Sequence, residues 1–118
     1  MADQKIYKLI FGLYQKTRSG EVRWARSIDL EFIASLQSYS VGVSQSQLPN
    51  RRTGKPNTYL KIYDSGGEEI EKASSDEFDG DPNSGDAYKM LDYIYEYARR
   101  MAMGVDTALD TLLMELGV

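Results

Sequence analysis

The chain reads as an α+β domain: an N-terminal helix, an antiparallel meander of four to five strands with helices packed on one face, and two C-terminal helices. Three observations predict this. Apolar residues recur at three- and four-residue spacing at both ends of the chain, which is the helical period. Between those ends they alternate with polar residues, which is the strand period. The parity of that alternation then flips between Leu36 and Tyr39, as a two-residue hairpin turn requires.

Residues 3–18 form the first predicted helix, with Ile6, Leu9, Ile10, Leu13 and Tyr14 on one stripe. Ser19-Gly20 supplies the stop, because glycine adopts the left-handed conformation that closes a helix. Residues 22–26 read as a short half-buried strand, with Val22 and Trp24 inward. A turn at Gln37-Ser38 sets Phe32 opposite Val43, Ala34 opposite Val41 and Leu36 opposite Tyr39, all six toward the helices. Residues 58–64 form the next strand, with Leu60 and Ile62 inward and Tyr59, Lys61 and Tyr63 outward. Asp64-Ser65-Gly66-Gly67 is a turn signal, and residues 69–73 return as a charged edge strand. Residues 74–86 read as an acidic loop ending in a helix N-cap at Asp86. Met90, Leu91, Ile94, Ala98, Met101, Ala102 and Val105 keep helical spacing after it, with Glu96 four residues before Arg100 as a supporting pair. Gly104 interrupts that helix, and Asp106 is placed to cap a last one bearing Leu109, Leu112, Leu113 and Leu116 on one stripe.

Composition narrows the classes of function. The 118 residues are expected to form one domain, 1–118, with an ordinary globular balance of 42% apolar and 27% charged residues. The chain has no cysteine and no histidine. Thiol nucleophiles, disulfides and cysteine metal sites are therefore excluded, together with the usual neutral-pH general base. No apolar run reaches the ~20 residues of a membrane span, and Met1 to Lys8 lacks a signal-peptide core. A cytoplasmic protein that does not enter a membrane is the expectation.

Charge is unevenly spread although the net value is only −4. Met1 to Tyr63 carries ten bases and four acids, +6, whereas Asp64 to Val118 carries four bases and fourteen acids, −10. Such halves either pair with each other in the fold or mark an interaction surface.

Four places can hold function. Arg51, Arg52 and Lys55 lie in a long connection, residues 44–57, which is either a solvated loop or two strands extended into an arm. Three bases there suit phosphate or an acidic partner, although Thr53-Gly54-Lys55 lacks phosphate-loop spacing. Asp79, Asp81 and Asn83 alternate like the start of a calcium loop, but Ser84 and Met90 stand where that loop needs glycine and glutamate. Tyr59, Lys61 and Tyr63 share the open sheet face with a serine-rich hairpin, and four more tyrosines crowd residues 88–97. The last leucine stripe, with methionines nearby, either docks on the domain's own sheet or forms a homodimer seam or partner site.

The function expected is a small non-enzymatic protein-interaction or regulatory module, with no cofactor, metal or catalytic residue assigned. Its expected contact residues are Arg51, Arg52, Lys55, Tyr59, Lys61 and Tyr63. The partner is expected to be another protein, or a second copy held through the C-terminal helices. The alternative is nucleic-acid or nucleotide binding by the basic segment 51–55.

Overall fold

Helix α1, Gln4–Arg18, is formed as its apolar spacing demands and ends where Gly20 turns left-handed at φ 79°. Gly20 N–H donates to the Thr17 carbonyl and Glu21 N–H to that of Lys16, satisfying two of the carbonyls a helix end leaves open. These elements come from a computed structural model that describes residues 4–27, 30–52, 54–78 and 86–118. Asp3, the first residue expected in α1, and the calcium-like segment at residues 79–85 lie outside the described residues.

Five strands follow: β1 (Ala25–Arg26), β2 (Phe32–Ser35), β3 (Ser40–Pro49), β4 (Pro56–Tyr63) and β5 (Glu69–Ser74). They form one antiparallel sheet in the order β1-β2-β3-β4-β5, so each strand pairs with its neighbours in sequence. The β2–β3 register has Phe32 opposite Val43 and Ala34 opposite Val41, and Leu36 N–H donates to the Tyr39 carbonyl at 2.9 Å across the turn. That is the expected hairpin. Leu36 and Tyr39 themselves are about half exposed, contrary to expectation. Alternation assigns them a face, but they sit on the rung next to the turn, beyond the part of the sheet that the helices cover.

The connection between β3 and β4 is an arm rather than a loose loop. Its strands run to Pro49 and from Pro56, with a register shift after Gln45. The tip closes through Asn50 N–H to the Lys55 carbonyl at 2.7 Å, and the Asn50 side chain accepts from Arg52 N–H at 2.8 Å. At the opposite end, the Asp64 carboxylate accepts from Gly66 and Glu68 N–H groups, both at 2.9 Å, which holds the turn into β5.

Helix α2, Ala87–Ala102, lies across the inner sheet face and also receives α1. Ala87, Leu91, Ile94 and Ala98 are fully buried on it. Tyr95 packs against Phe32 of β2 with ring centroids 5.6 Å apart, and Tyr14 of α1 meets Tyr93 edge-on at 5.1 Å. Burial pushes the Tyr95 hydroxyl above its ordinary pKa, with Arg99 opposing and Glu96 assisting.

Several expectations need correction. Only Ala25–Arg26 of segment 22–26 pairs in the sheet. Val22 and Trp24 are buried instead by side-chain packing, with the Trp24 indole N–H donating to the Thr17 hydroxyl at 3.2 Å. The acidic segment after β5 opens with a 3-10 turn, Ser75–Glu77, and drives Phe78 into the core. Asp86 occupies the N-cap of α2 without a side-chain cap bond. Glu96 pairs with Arg99, one residue nearer than expected, while Arg100 reaches Asp106. Helix α3, Val105–Leu116, is capped by left-handed Gly104, and Asp106 stands in its first turn instead. Among the described residues, no helix is long and apolar enough to cross a membrane.

Two outcomes follow from this packing. A Cβ placed on Gly42 of β3 would lie 2.6 Å from Glu31 Oε2 and 3.1 Å from Tyr63 Cε2. Gly42→Ala should therefore lower stability by about 1–3 kcal/mol in urea unfolding, since the crowded carboxylate is held in place. For Tyr95, a raised folded pKa means the unfolded state loses its proton first as pH climbs. Its contribution is complete below the ordinary tyrosine pKa of 10.0 and fades as pH rises above it. Tyr95→Phe should flatten that alkaline limb in a pH series of unfolding curves.

Candidate functional site

The residues expected to make contact do not form one site. Arg51, Arg52 and Lys55 sit at the tip of the β3–β4 arm. Tyr59, Lys61 and Tyr63 run along the outer face of β4, and the strand rises about 3.3 Å per residue. Lys55 and Tyr63 are thus roughly 26 Å apart along the strand direction.

The outer-face residues are engaged within the sheet. Lys72 of β5 places its ammonium 4.4 Å from the Tyr59 ring centroid. Lys61 pairs with Glu69 at 3.7 Å. The Tyr63 hydroxyl donates to the Glu31 carboxylate, with oxygens at 2.8 and 2.9 Å, and Gly42 is the residue small enough to let that carboxylate lie flat on the sheet. The open face is thus a knitted polar surface rather than a row of unengaged tyrosines.

A small cleft of about 160 Å³ opens where the arm meets α2, lined by Lys55, Pro56, Asn57, Ser75, Asp76, Tyr88 and Asp92. Behind it, fully buried Thr58 accepts from the Gln45 side-chain amide at 3.2 Å and donates to Asp92 at 2.6 Å. Its backbone N–H donates to the Ser75 hydroxyl at 2.9 Å. The Arg52 guanidinium reaches the Asp76 carbonyl at 3.4 Å, which ties the arm to the 3-10 turn. Every polar group of Thr58 named here has a partner, so this chain of bonds joins β3, β4 and α2. It is a tie between sheet and helix. Alternation alone marks Thr58 as inward, but its partner Asp92 lies 34 residues away and gives no local signal.

Two other surfaces stand out. The first is on α1 and α2. Tyr7, Phe11, Tyr14 and Arg18 follow one another at i, i+4, i+7 and i+11, a second stripe beside the buried one. The Arg18 guanidinium lies 5.5 Å from the Tyr14 ring, Tyr14 meets Tyr93, and Tyr93 stacks on Tyr97 at 5.9 Å. The expected surplus of tyrosine on α2 thus divides: Tyr95 faces the sheet, and Tyr93 and Tyr97 extend an aromatic row from α1. Phe11 and Tyr93 remain 41% and 40% exposed. Tyr7, Phe11 and Arg18 fall on this second stripe by spacing, whereas Tyr14 also fits the core period.

The second surface is α3. It packs chiefly on the end of α2 and, among the described residues, contributes none to the buried core. Docking of its leucines on the domain's own sheet, the plainer of the two expectations, does not occur. Leu109, Leu112, Leu113 and Leu116 are 46%, 51%, 49% and 74% exposed, along one face. Left-handed Gly104 turns the chain there, and the Arg100–Asp106 pair holds the first turn of α3 against α2.

Thr58→Val keeps the shape of the buried tie and removes its hydroxyl. It should cost about 0.5–1.5 kcal/mol in chemical unfolding, because the bonds to Asp92 and Gln45 are lost while Gln45 is exposed and Asp92 lines an open cleft, so both can turn to water. No family model, curated protein or solved structure matches this chain.

Proposed function

We propose that this chain is a small non-enzymatic interaction module that works by protein contact, with α3 as its principal contact element. The observation that carries this reading is the continuous leucine face of α3, about half or more exposed along the helix. Contiguous exposed apolar surface is costly in water and marks sites that another surface covers. The face is also adaptable at its edge, where Met103 and Met114 are exposed.

Nucleic-acid or nucleotide binding through Arg51, Arg52 and Lys55 is the weaker reading. In its favour, the three bases share the tip of the arm. Against it, Arg52 already reaches the Asp76 carbonyl, and the chain carries a net charge of −4.

Capture on immobilised protein tests the contact reading. The parent and Leu112→Glu/Leu113→Glu should be compared as baits, each checked by circular dichroism for folded helix. Retention of another protein, or of a further copy of this chain, by the parent and its loss on the variant is the expected result. Equal retention by both baits, or none by either, would remove α3 as the contact element.

A further inference from the structure

We infer that the surface covering α3 is a second copy of this chain, bound reciprocally, with each α3 leucine face docked on the α1–α2 aromatic face of the other copy. The inference rests on the reading of α3 as a contact element. Charge is the first argument. Helix α3 carries Asp106, Asp110 and Glu115 and no base, and α1 carries Lys5, Lys8, Lys16 and Arg18 and no acid. Asp106 is already paired with Arg100 and Lys16 with Glu21, so Asp110 and Glu115 on one side and Lys8 and Arg18 on the other carry the argument. Two α3 helices side by side would bring like charges together. An α3 laid on α1 brings opposite charges together, which favours that pairing.

Shape is the second argument. Between α1 and α2 a groove of about 290 Å³ is lined by Tyr14, Asp86, Lys89, Met90 and Tyr93. Tyr93 is its exposed large apolar side chain and Lys89 its base; Phe11 is exposed on the adjoining stripe of α1, and Arg18 lies over Tyr14, one of the lining rings. An acidic helix with a leucine stripe is complementary to a basic-rimmed aromatic groove. Asp86, at the N-cap of α2, is the one acid in the lining, and Lys89 in the first turn of that helix also lines it.

Area is the third argument. A 12-residue helix is about 18 Å long and 10–12 Å wide, whereas a specific dimer draws about 800 Å² from each partner. A lone α3–α3 crossing offers one short helix face per copy. Reciprocal docking engages two patches on each copy, α3 and the α1–α2 face, and closes as a two-fold dimer. Within one copy α3 does not supply this contact, because it packs chiefly on α2 and has none of its residues buried.

Sedimentation equilibrium of the full chain at micromolar concentration tests the arrangement. The parent should be a dimer that loosens as salt rises, because the contact is charge-matched. Two variants each break one side: Leu112→Glu/Leu113→Glu on α3, and Lys8→Glu/Arg18→Glu on α1. Each alone should weaken self-association by at least about tenfold with its circular dichroism unchanged, since all four side chains are exposed in one copy. Leu112→Gln is a milder α3 change that keeps the measurement available if the double glutamate unfolds. Mixing the two variants should give association tighter than either variant alone and weaker than the parent, because one of the two contacts is then intact. A monomeric parent overturns the inference while leaving the contact reading to the capture experiment. A dimer insensitive to Lys8→Glu/Arg18→Glu, or variants that fail to complement when mixed, also overturns it.

Discussion

Everything in this structure leans on α2. Its Leu91, Ile94 and Ala98 are fully buried, and the same helix meets the sheet on one side and α1 on another. Ala87 and Ala98 keep side chains small where the layers come together, while Tyr95 on Phe32 and Thr58 on Asp92 fasten helix to sheet. Interiors are close-packed, so a shift of α2 moves the arm, the aromatic row and the root of α3 together. The three surfaces that could engage a partner are therefore anchored to one rigid element.

The outer sheet face shows how such anchoring uses polar chemistry as well as packing. Glu31, just before β2, lies under the Tyr63 hydroxyl and over Gly42. That arrangement buries a carboxylate on the side of the sheet that faces water. Tyr59 and Lys61 are engaged in turn by Lys72 and Glu69 of β5, so the edge strand is held by its charges as well as its ladder. Exposed pairs of this kind contribute little singly, and their value lies in setting which side chains occupy the face.

Legibility followed the range of the interaction. The β2–β3 register was readable because a change of parity leaves one two-residue turn that keeps the apolar side chains together. Helix ends were readable where glycine was needed, at Gly20, and misread where a competing Asp106 looked like the better cap. Phe78 was hidden in an acidic stretch, and Thr17 was hidden because a threonine on a helix reads as polar until Trp24 donates to it. Of the expected contact residues, Arg51, Arg52 and Lys55 fall at an arm tip, and Tyr59, Lys61 and Tyr63 have partners within the sheet. Amphipathic spacing states that a face is apolar and is silent on what covers it. Leu36, Tyr39 and the leucines of α3 all show that difference.

The strand order has a consequence for the life of the chain before it is whole. Each strand pairs with its neighbour in sequence, so the meander closes through short loops as it lengthens. Helix α1 is different: its partner α2 begins at Ala87, some seventy residues after α1 ends. A chain emerging from the ribosome therefore carries an amphipathic basic helix segment that Trp24 alone can begin to cover, through Thr17, and that lacks its helical partner until α2 has been made. During that interval the inner sheet face and the buried stripe of α1 are both uncovered, and this molecule is then most exposed to chaperones and to aggregation.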